Sequence, residues 1–114
     1  MNFIQIKGSG LYIENISAFN LAKKYQTPFY CYSLAQLKNN FLRFNKIFKN
    51  IKPLVCFAVK SNSNLYLLKE LRKMGSGADV VSKGELLKAI KAGIDKKKLF
   101  SLVLEKQKMK LDRQ

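Results

Sequence analysis

Hydrophobic residues in this chain form short continuous runs, separated by longer stretches in which they recur every three or four positions. The most apolar run is residues 54–59, which ends at Lys60. A run of this length predicts a buried strand. Polar residues 61–64 follow it, and then comes a stripe at helical spacing: Leu65, Leu68, Leu71 and Met74. Lys60 is therefore expected at the carboxyl end of a buried strand, the edge at which α/β proteins bind ligands.

The same alternation of strand-like and helix-like patterns runs through the rest of the chain. Ahead of residue 54 we predict two short strands within 3–13, a weak helix at 17–25, a strand at 29–32 and a helix from 34 to about 49. Beyond residue 74 we predict a strand at 77–81, a helix ended by Gly93 and a strand at 98–101. Ser33 with Gln36, and Ser82 with Glu85, have the spacing of capping boxes, and Gly75 is placed to end the helix before it.

Strands that alternate with helices predict βαβ units and a parallel sheet. A complete (β/α)₈ barrel needs about 250 residues, whereas this chain has 114. The predicted fold class is therefore α/β, in the form of the first units of a barrel that is incomplete.

The chain is strongly basic, with a formal net charge of +15, and lysine accounts for 19 of its 22 basic residues. Such a charge invites a nucleic-acid-binding function. The bias toward lysine and asparagine is, however, what an AT-rich coding sequence produces, and most lysines fall on the polar faces of predicted helices. No basic-aromatic motif is recognisable, so we expect no nucleic-acid partner.

Several other classes of function are disfavoured by composition. The chain has no histidine and only two cysteines, Cys31 and Cys56, each inside an apolar run. We therefore expect buried free thiols and no zinc or other metal site. No run of about 20 apolar residues is present, and the first residues lack the basic-then-apolar pattern of a signal peptide. The expectation is a cytoplasmic protein without a membrane partner.

The position of Lys60 suggests a chemical role for it. Partial shielding from water at a strand end favours a neutral amine, and a neutral amine can condense with a carbonyl group. The alternative is that Lys60 is an ordinary solvated surface lysine, as most lysines are. Asp79 and the Ser82–Glu85 pair likewise have structural explanations, as a polar strand end and a helix cap.

The residues around Lys60 resemble a known signature. Phe57-Ala58-Val59-Lys60-Ser61-Asn62 is similar to the pyridoxal-phosphate attachment sequence of the fold-type III decarboxylases that act on diaminopimelate, ornithine and arginine. The block from Gly75 to Leu86 resembles the next block of that family, most nearly in its diaminopimelate-specific members. Residues 27–32 resemble the family's entry strand. Lys83 departs from the pattern, because the family usually has glycine there.

The resemblance implies an alanine-racemase-like (β/α)₈ TIM barrel that binds pyridoxal 5′-phosphate, and a homodimer in the full-length family. Lys60 maps onto the lysine that holds the cofactor covalently, Ala58 next to the ring, and Asp79 onto an acidic residue near the attachment point. The implied reaction converts meso-diaminopimelate, a small amino acid, to L-lysine and CO₂ in lysine biosynthesis. The family's phosphate loop, ring-stacking histidine, ring acid and substrate arginine are expected beyond residue 114.

The resemblance also divides the chain. Residues 1–27 correspond to strands and a helix of the family's β-domain region, residues 28–101 to part of the cofactor-binding barrel, and residues 102–114 to an aberrant tail. The family continues into Gly-Lys-Thr after a segment like Phe100-Ser101, and one codon choice for the tail restores Gly-Lys-Thr in a neighbouring frame, so a frameshift is a hypothesis. We therefore expect a truncated decarboxylase that is inactive alone. The alternatives are a non-catalytic remnant, an ornithine or arginine decarboxylase and, more distantly, a basic nucleic-acid-binding module.

Overall fold

The computed structural model describes residues 2–101. Their strands are β1 (Ile4–Lys7), β2 (Gly10–Ile13), β3 (Ile16–Ser17), β4 (Cys56–Ala58), β5 (Gly77–Asp79) and β6 (Leu99–Phe100). Their helices are α1 (Ala18–Lys24), α2 (Leu34–Ile47), α3 (Leu65–Lys73) and α4 (Lys83–Lys91). The chain divides into two compact units, the first ending at Ile47 and the second beginning at Phe48. The predicted tail, residues 102–114, lies outside the described residues.

The first unit begins with a small antiparallel sheet in the order β1-β2-β3. The β1–β2 hairpin pairs Ile4 with Ile13 and Lys7 with Gly10, and Gly8 in its turn has a φ of 61°. The two strands predicted within residues 3–13 are thus confirmed, whereas β3 was not foreseen. Ser17 caps α1 by accepting a hydrogen bond from the Asn20 N–H at 3.1 Å.

The N-terminus of α2 is capped by a local and a distant side chain. The predicted local cap is present, because the Gln36 N–H donates to Ser33 Oγ at 3.0 Å. The Gln36 side chain does not return the bond and instead donates to Asn40. Glu14 takes its place: its Oε1 accepts from Ser33 Oγ at 2.9 Å and from the Ala35 N–H at 3.0 Å. A carboxylate here also interacts favourably with the helix dipole.

The Glu14 cap makes the first unit sensitive to pH. The Ala35 N–H, and to a lesser degree the Ser33 hydroxyl, hold the pKa of Glu14 below its ordinary value of 4.5, although burial opposes them. The cap therefore stabilises fully above pH 4.5 and is lost as the pH falls through the lowered pKa. We expect amide-exchange protection at Ala35 to fall about fivefold on acidification, as a cap worth about 1 kcal/mol implies.

Residues 1–47 contain no other carboxylate side chain, so the control is simple. In Glu14→Gln, protection at Ala35 should be low at neutral pH and should change little on acidification. A wild-type protection factor that is the same at pH 7 and pH 3 would contradict this account of the cap.

The prediction of a strand at residues 29–32 is wrong, because these residues have no regular secondary structure. A strand needs a neighbour to satisfy its backbone N–H and C=O groups, and within residues 2–101 no strand pairs with this segment. The prediction that Cys31 is buried is wrong for the same reason, because an unpaired segment leaves its thiol exposed. Both cysteines are free, as expected.

The second unit has the predicted strand–helix alternation. Its three strands form a parallel sheet in the order β4-β5-β6, with α3 between the first pair and α4 between the second. The register pairs Ala58 with Asp79 and Asp79 with Phe100. The predicted α/β class with a parallel sheet is confirmed.

One face of this sheet is covered by the two helices. The core cluster contains Val59, Leu68, Ala78, Val80, Ala89, Ala92 and Ile94, with Phe57, Leu65, Leu86 and Leu99 packed against it. Of the predicted stripe of α3, Leu68 and Leu71 are almost completely buried. In α4 only Ala89 is buried, and Leu87 and Ile90 are exposed.

The two helix ends predicted at glycines are confirmed. The strands predicted at 77–81 and 98–101 are shorter in the structure, as is the central strand. Gly75 and Gly93 follow α3 and α4 with φ values of 88° and 85°, the left-handed conformation that glycine adopts without steric cost. The central strand is shorter than the predicted 54–59 and only half-buried. It ends at Ala58, because residues 59–61 form a single 3₁₀ turn.

Among residues 2–101 no helix is long and apolar enough to cross a membrane.

Candidate active site at the carboxyl ends of the parallel strands

Lys60 lies in the 3₁₀ turn that follows β4, and its side chain is exposed. The first residue of this turn, Val59, is completely buried in the core cluster, whereas the next residue, Lys60, is exposed. Sequence reasoning placed Lys60 at the end of a buried strand and expected shielding from water. The strand end is confirmed, but the shielding is absent, since the strand stops two residues earlier and the turn carries the amine outward.

Ala58 and Asp79 occupy the sheet face opposite the helices. Side chains alternate along a strand, and Phe57, Ala78 and Leu99 point into the core cluster. The other set, which we call the site face, consists of Cys56, Ala58, Gly77 and Asp79. Ala58 and Asp79 are Cα partners in adjacent strands. The sheet therefore brings together two of the three predicted site residues, and Lys60 follows Ala58 by two positions.

The electrostatics of the site face centre on Asp79. Burial raises the pKa of the Cys56 thiol, the charge of Asp79 raises it further, and Lys98 opposes both. Cys56 therefore stays a neutral thiol at physiological pH and behaves as a small apolar side chain. This leaves the Asp79 carboxylate as the charged group of the site face.

Gly77 is a feature of this face that the sequence reasoning did not single out. A Cβ built on Gly77 would lie 2.5 Å from the Lys98 carbonyl oxygen and 2.7 Å from Cys56 Sγ. Real Cβ atoms do not approach so closely, so the packing of β5 between its neighbours requires glycine here. The signal was present in the sequence as a glycine at the first residue of a short buried strand.

Local hydrogen bonds shape the loop that carries Lys60. The Asn62 N–H donates to the Val59 carbonyl at 3.1 Å, and Ser61 Oγ donates to the Ala58 carbonyl at 2.7 Å. Asn64 caps α3 by accepting from the Tyr66 N–H at 2.9 Å. The loop thus turns directly from strand into helix and leaves Lys60 on its outer side.

The second cap predicted, at the start of α4, is present in its Ser82 half, and the Glu85 side chain bonds the residue before the cap. The Glu85 N–H donates to Ser82 Oγ at 3.2 Å, and Glu85 Oε2 accepts from the Val81 N–H at 2.8 Å. These bonds account for both Ser82 and Glu85 as structural residues. Lys60 and Asp79 have no such structural explanation at this edge of the sheet.

An exposed lysine follows one parallel strand, and a carboxylate ends the next strand, at the edge of the sheet where α/β barrel proteins bind their ligands. The family comparison agrees: residues 34–113 match the model described as pyridoxal-dependent decarboxylase, pyridoxal binding domain. The chain belongs to this family of pyridoxal-dependent amino-acid decarboxylases.

Curated relatives make the comparison more specific. The chain is 44% identical over 99 residues to the diaminopimelate decarboxylase of Haemophilus influenzae, a match that covers 87% of this chain and 24% of the relative. It is 50% identical over 74 residues to the enzyme of the same name from Helicobacter pylori, covering 65% of this chain and 18% of the relative.

Solved structures give the same result for the fold. The diaminopimelate decarboxylase of M. jannaschii, crystallised in complex with L-lysine, superposes with a TM-score of 0.83 at 36% identity and covers 88% of this chain and 24% of that one. The predicted TIM-barrel class is therefore confirmed as part of a barrel. The chain spans about a quarter of the length of the relatives it matches.

The residues present fit a pyridoxal cofactor in their chemistry. Covalent attachment requires a primary amine that a carbonyl group can reach. Lys60 provides one, because it is exposed and has no carboxylate partner within the part of the chain that the structure describes. Lys60 would hold the cofactor, and Asp79 would place a negative charge on the same edge of the sheet.

Proposed function

We propose that this chain supplies the cofactor-attachment part of a diaminopimelate decarboxylase, with pyridoxal 5′-phosphate bound through Lys60. The observation that carries the proposal is the exposed Lys60 amine directly after β4, inside the segment that matches the pyridoxal-binding domain. The proposed substrate is meso-diaminopimelate, because the relatives over this stretch bear the name diaminopimelate decarboxylase.

The cofactor ring supplies an electron sink for the electron pair that remains when the substrate carboxylate leaves as CO₂. The chain's own residues would have simpler roles. The Lys60 amine would hold the cofactor, and when free it could carry a proton. Ala58 presents a small side chain beside Lys60, and the Asp79 carboxylate favours positive charge near the attachment point.

The domain division follows from this proposal. Residues 28–101 would form part of the cofactor-binding barrel, and residues 1–27 would belong with the family's β-domain region. A cytoplasmic homodimer is proposed for the complete enzyme, as the resemblance implies.

A chimera tests the proposed function. Residues 2–101 would replace the matching segment of the Haemophilus influenzae relative, which is 44% identical over the aligned stretch. We expect the chimera to release CO₂ from carboxyl-labelled meso-diaminopimelate and the Lys60→Ala chimera to release none above background. Lys83→Ala, which alters another exposed lysine at the same edge of the sheet, should remain active. A folded chimera that binds no cofactor and releases no CO₂ would contradict the proposal.

A further inference from the structure

The attachment loop, residues 59–64, joins β4 to α3 and carries Lys60. Two of its hydrogen bonds lie within residues 58–62, and a third runs from the Asn64 N–H to Asn62 Oδ1 at 3.0 Å. These bonds fix the curvature of the loop. They do not fix its position relative to the neighbouring βα unit, because each joins residues no more than three apart.

Helix α4 holds the attachment loop at both of its ends. At the first end, Val59 is completely buried in the core cluster that also contains Ala89 of α4. At the far end, Lys88 Nζ donates a hydrogen bond to Ser63 Oγ at 2.9 Å, across 25 residues of sequence. Lys88 and Ala89 are consecutive, so one turn of one helix supplies both the apolar and the polar contact.

Among the lysines of α4, only Lys88 donates a hydrogen bond to another element within residues 2–101. Lys83 and Lys91 are exposed at the two ends of the helix, and within residues 2–101 neither makes a hydrogen bond to another element. Lys88 is exposed as well, but its ammonium group donates a hydrogen bond to Ser63 in another element. A charged donor also forms a stronger hydrogen bond than a neutral one.

We propose that Lys88 is a positioning residue for the cofactor lysine: its hydrogen bond to Ser63 holds the attachment loop, and with it Lys60, in one position beyond the carboxyl end of β4. The proposal rests on the proposed function. Its physical basis is that a displacement of about 1 Å in a reacting group can cost a large factor in rate. Loss of one tether at the end of a six-residue loop permits such a displacement.

The test compares Lys88→Met, which keeps the apolar stem and removes the donor, with Lys91→Met as the matched control on the same helix. Each full chain is incubated with pyridoxal phosphate, reduced with borohydride at intervals, and analysed for modified Lys60 by peptide mass spectrometry. We expect modification of Lys60 to be about threefold to tenfold slower in Lys88→Met, the factor that a hydrogen bond of about 1 kcal/mol supplies. Lys91→Met should match the wild type, and Lys88→Arg, which keeps a donor, should recover most of the rate.

Ser63→Ala removes the acceptor and gives a second route to the same result. If the two residues act through one bond, Ser63→Ala combined with Lys88→Met should be no slower than either single variant. Equal Lys60 modification in the wild type and in both single variants would overturn the positioning role.

Amide exchange separates this proposal from the proposed function. Without cofactor, Lys88→Met should speed exchange at residues 61–64 and leave Ser76 and Gly77 unchanged, and unchanged exchange at 61–64 would overturn the tether. If the wild-type Lys60 takes up no cofactor, the proposed function is contradicted together with the cofactor role of Lys88. If Lys60 is modified in the wild type and at the same rate in the variants, only the positioning role of Lys88 is contradicted.

Discussion

Replacing Lys60 by alanine is expected to lower the affinity of the chain for pyridoxal phosphate by at least about tenfold, a loss of about 1.4 kcal/mol in binding free energy. The reason is that the proposed attachment is covalent and depends on one primary amine. The chain offers 19 lysines, so weak adducts at other positions set the background. Equilibrium dialysis at low protein concentration measures the difference above that background.

Lys83→Ala is the matched control for this measurement. Lys83 is the first residue of α4 and is exposed, as Lys60 is, and its replacement removes the same charge from the same edge of the sheet. We expect its affinity to stay within about twofold of the wild type, which is under 0.5 kcal/mol. Equal losses in both variants would mean that the cofactor responds to general positive charge, and the assignment of Lys60 would be wrong.

The second large effect is expected at Gly77, where alanine should destabilise the second unit by about 1–3 kcal/mol through overpacking. The added methyl group would collide with the Lys98 carbonyl oxygen and with Cys56 Sγ. Neither neighbour can withdraw freely, because the first is backbone leading into β6 and the second belongs to β4. Relief of the clash requires β5 to move away from both.

Gly84→Ala is the control, and its expected effect has the opposite sign. Gly84 lies in the first turn of α4, where the nearest atom to a built Cβ is Ser82 Oγ at 4.0 Å. Alanine fits there and should stabilise the helix by up to about 1 kcal/mol. Urea unfolding followed by circular dichroism measures both variants, and a Gly77→Ala protein as stable as the wild type would contradict the packing described for β5.

The second unit was predictable because its signals are local. The spacing of Leu65, Leu68 and Leu71 defines α3, and Gly75 and Gly93 end their helices in the conformation that only glycine adopts easily. The position of Lys60 after β4 followed from the same pattern. The resemblance to the decarboxylase family added the chemistry, which no periodicity could supply.

The first unit was less predictable because its decisive contacts are distant in sequence. The Phe29–Tyr32 run has the composition of a strand, yet composition cannot supply the neighbouring strand that its backbone needs. Glu14 caps α2 from 21 residues away at a φ of 56°, and no spacing rule links the two positions. In the second unit the Lys88–Ser63 bond was missed for the same reason, since it joins residues 25 apart.

The central claim is that Lys60 is the residue that binds pyridoxal phosphate, and peptide mapping of the borohydride-reduced wild-type chain tests it most directly. Reduction makes the covalent attachment permanent, so mass spectrometry can assign it to one lysine. We predict that the peptide containing Lys60 carries the modification in clear excess over every other lysine-containing peptide. Modification spread evenly over the lysines, or concentrated at a lysine other than Lys60, would contradict the claim.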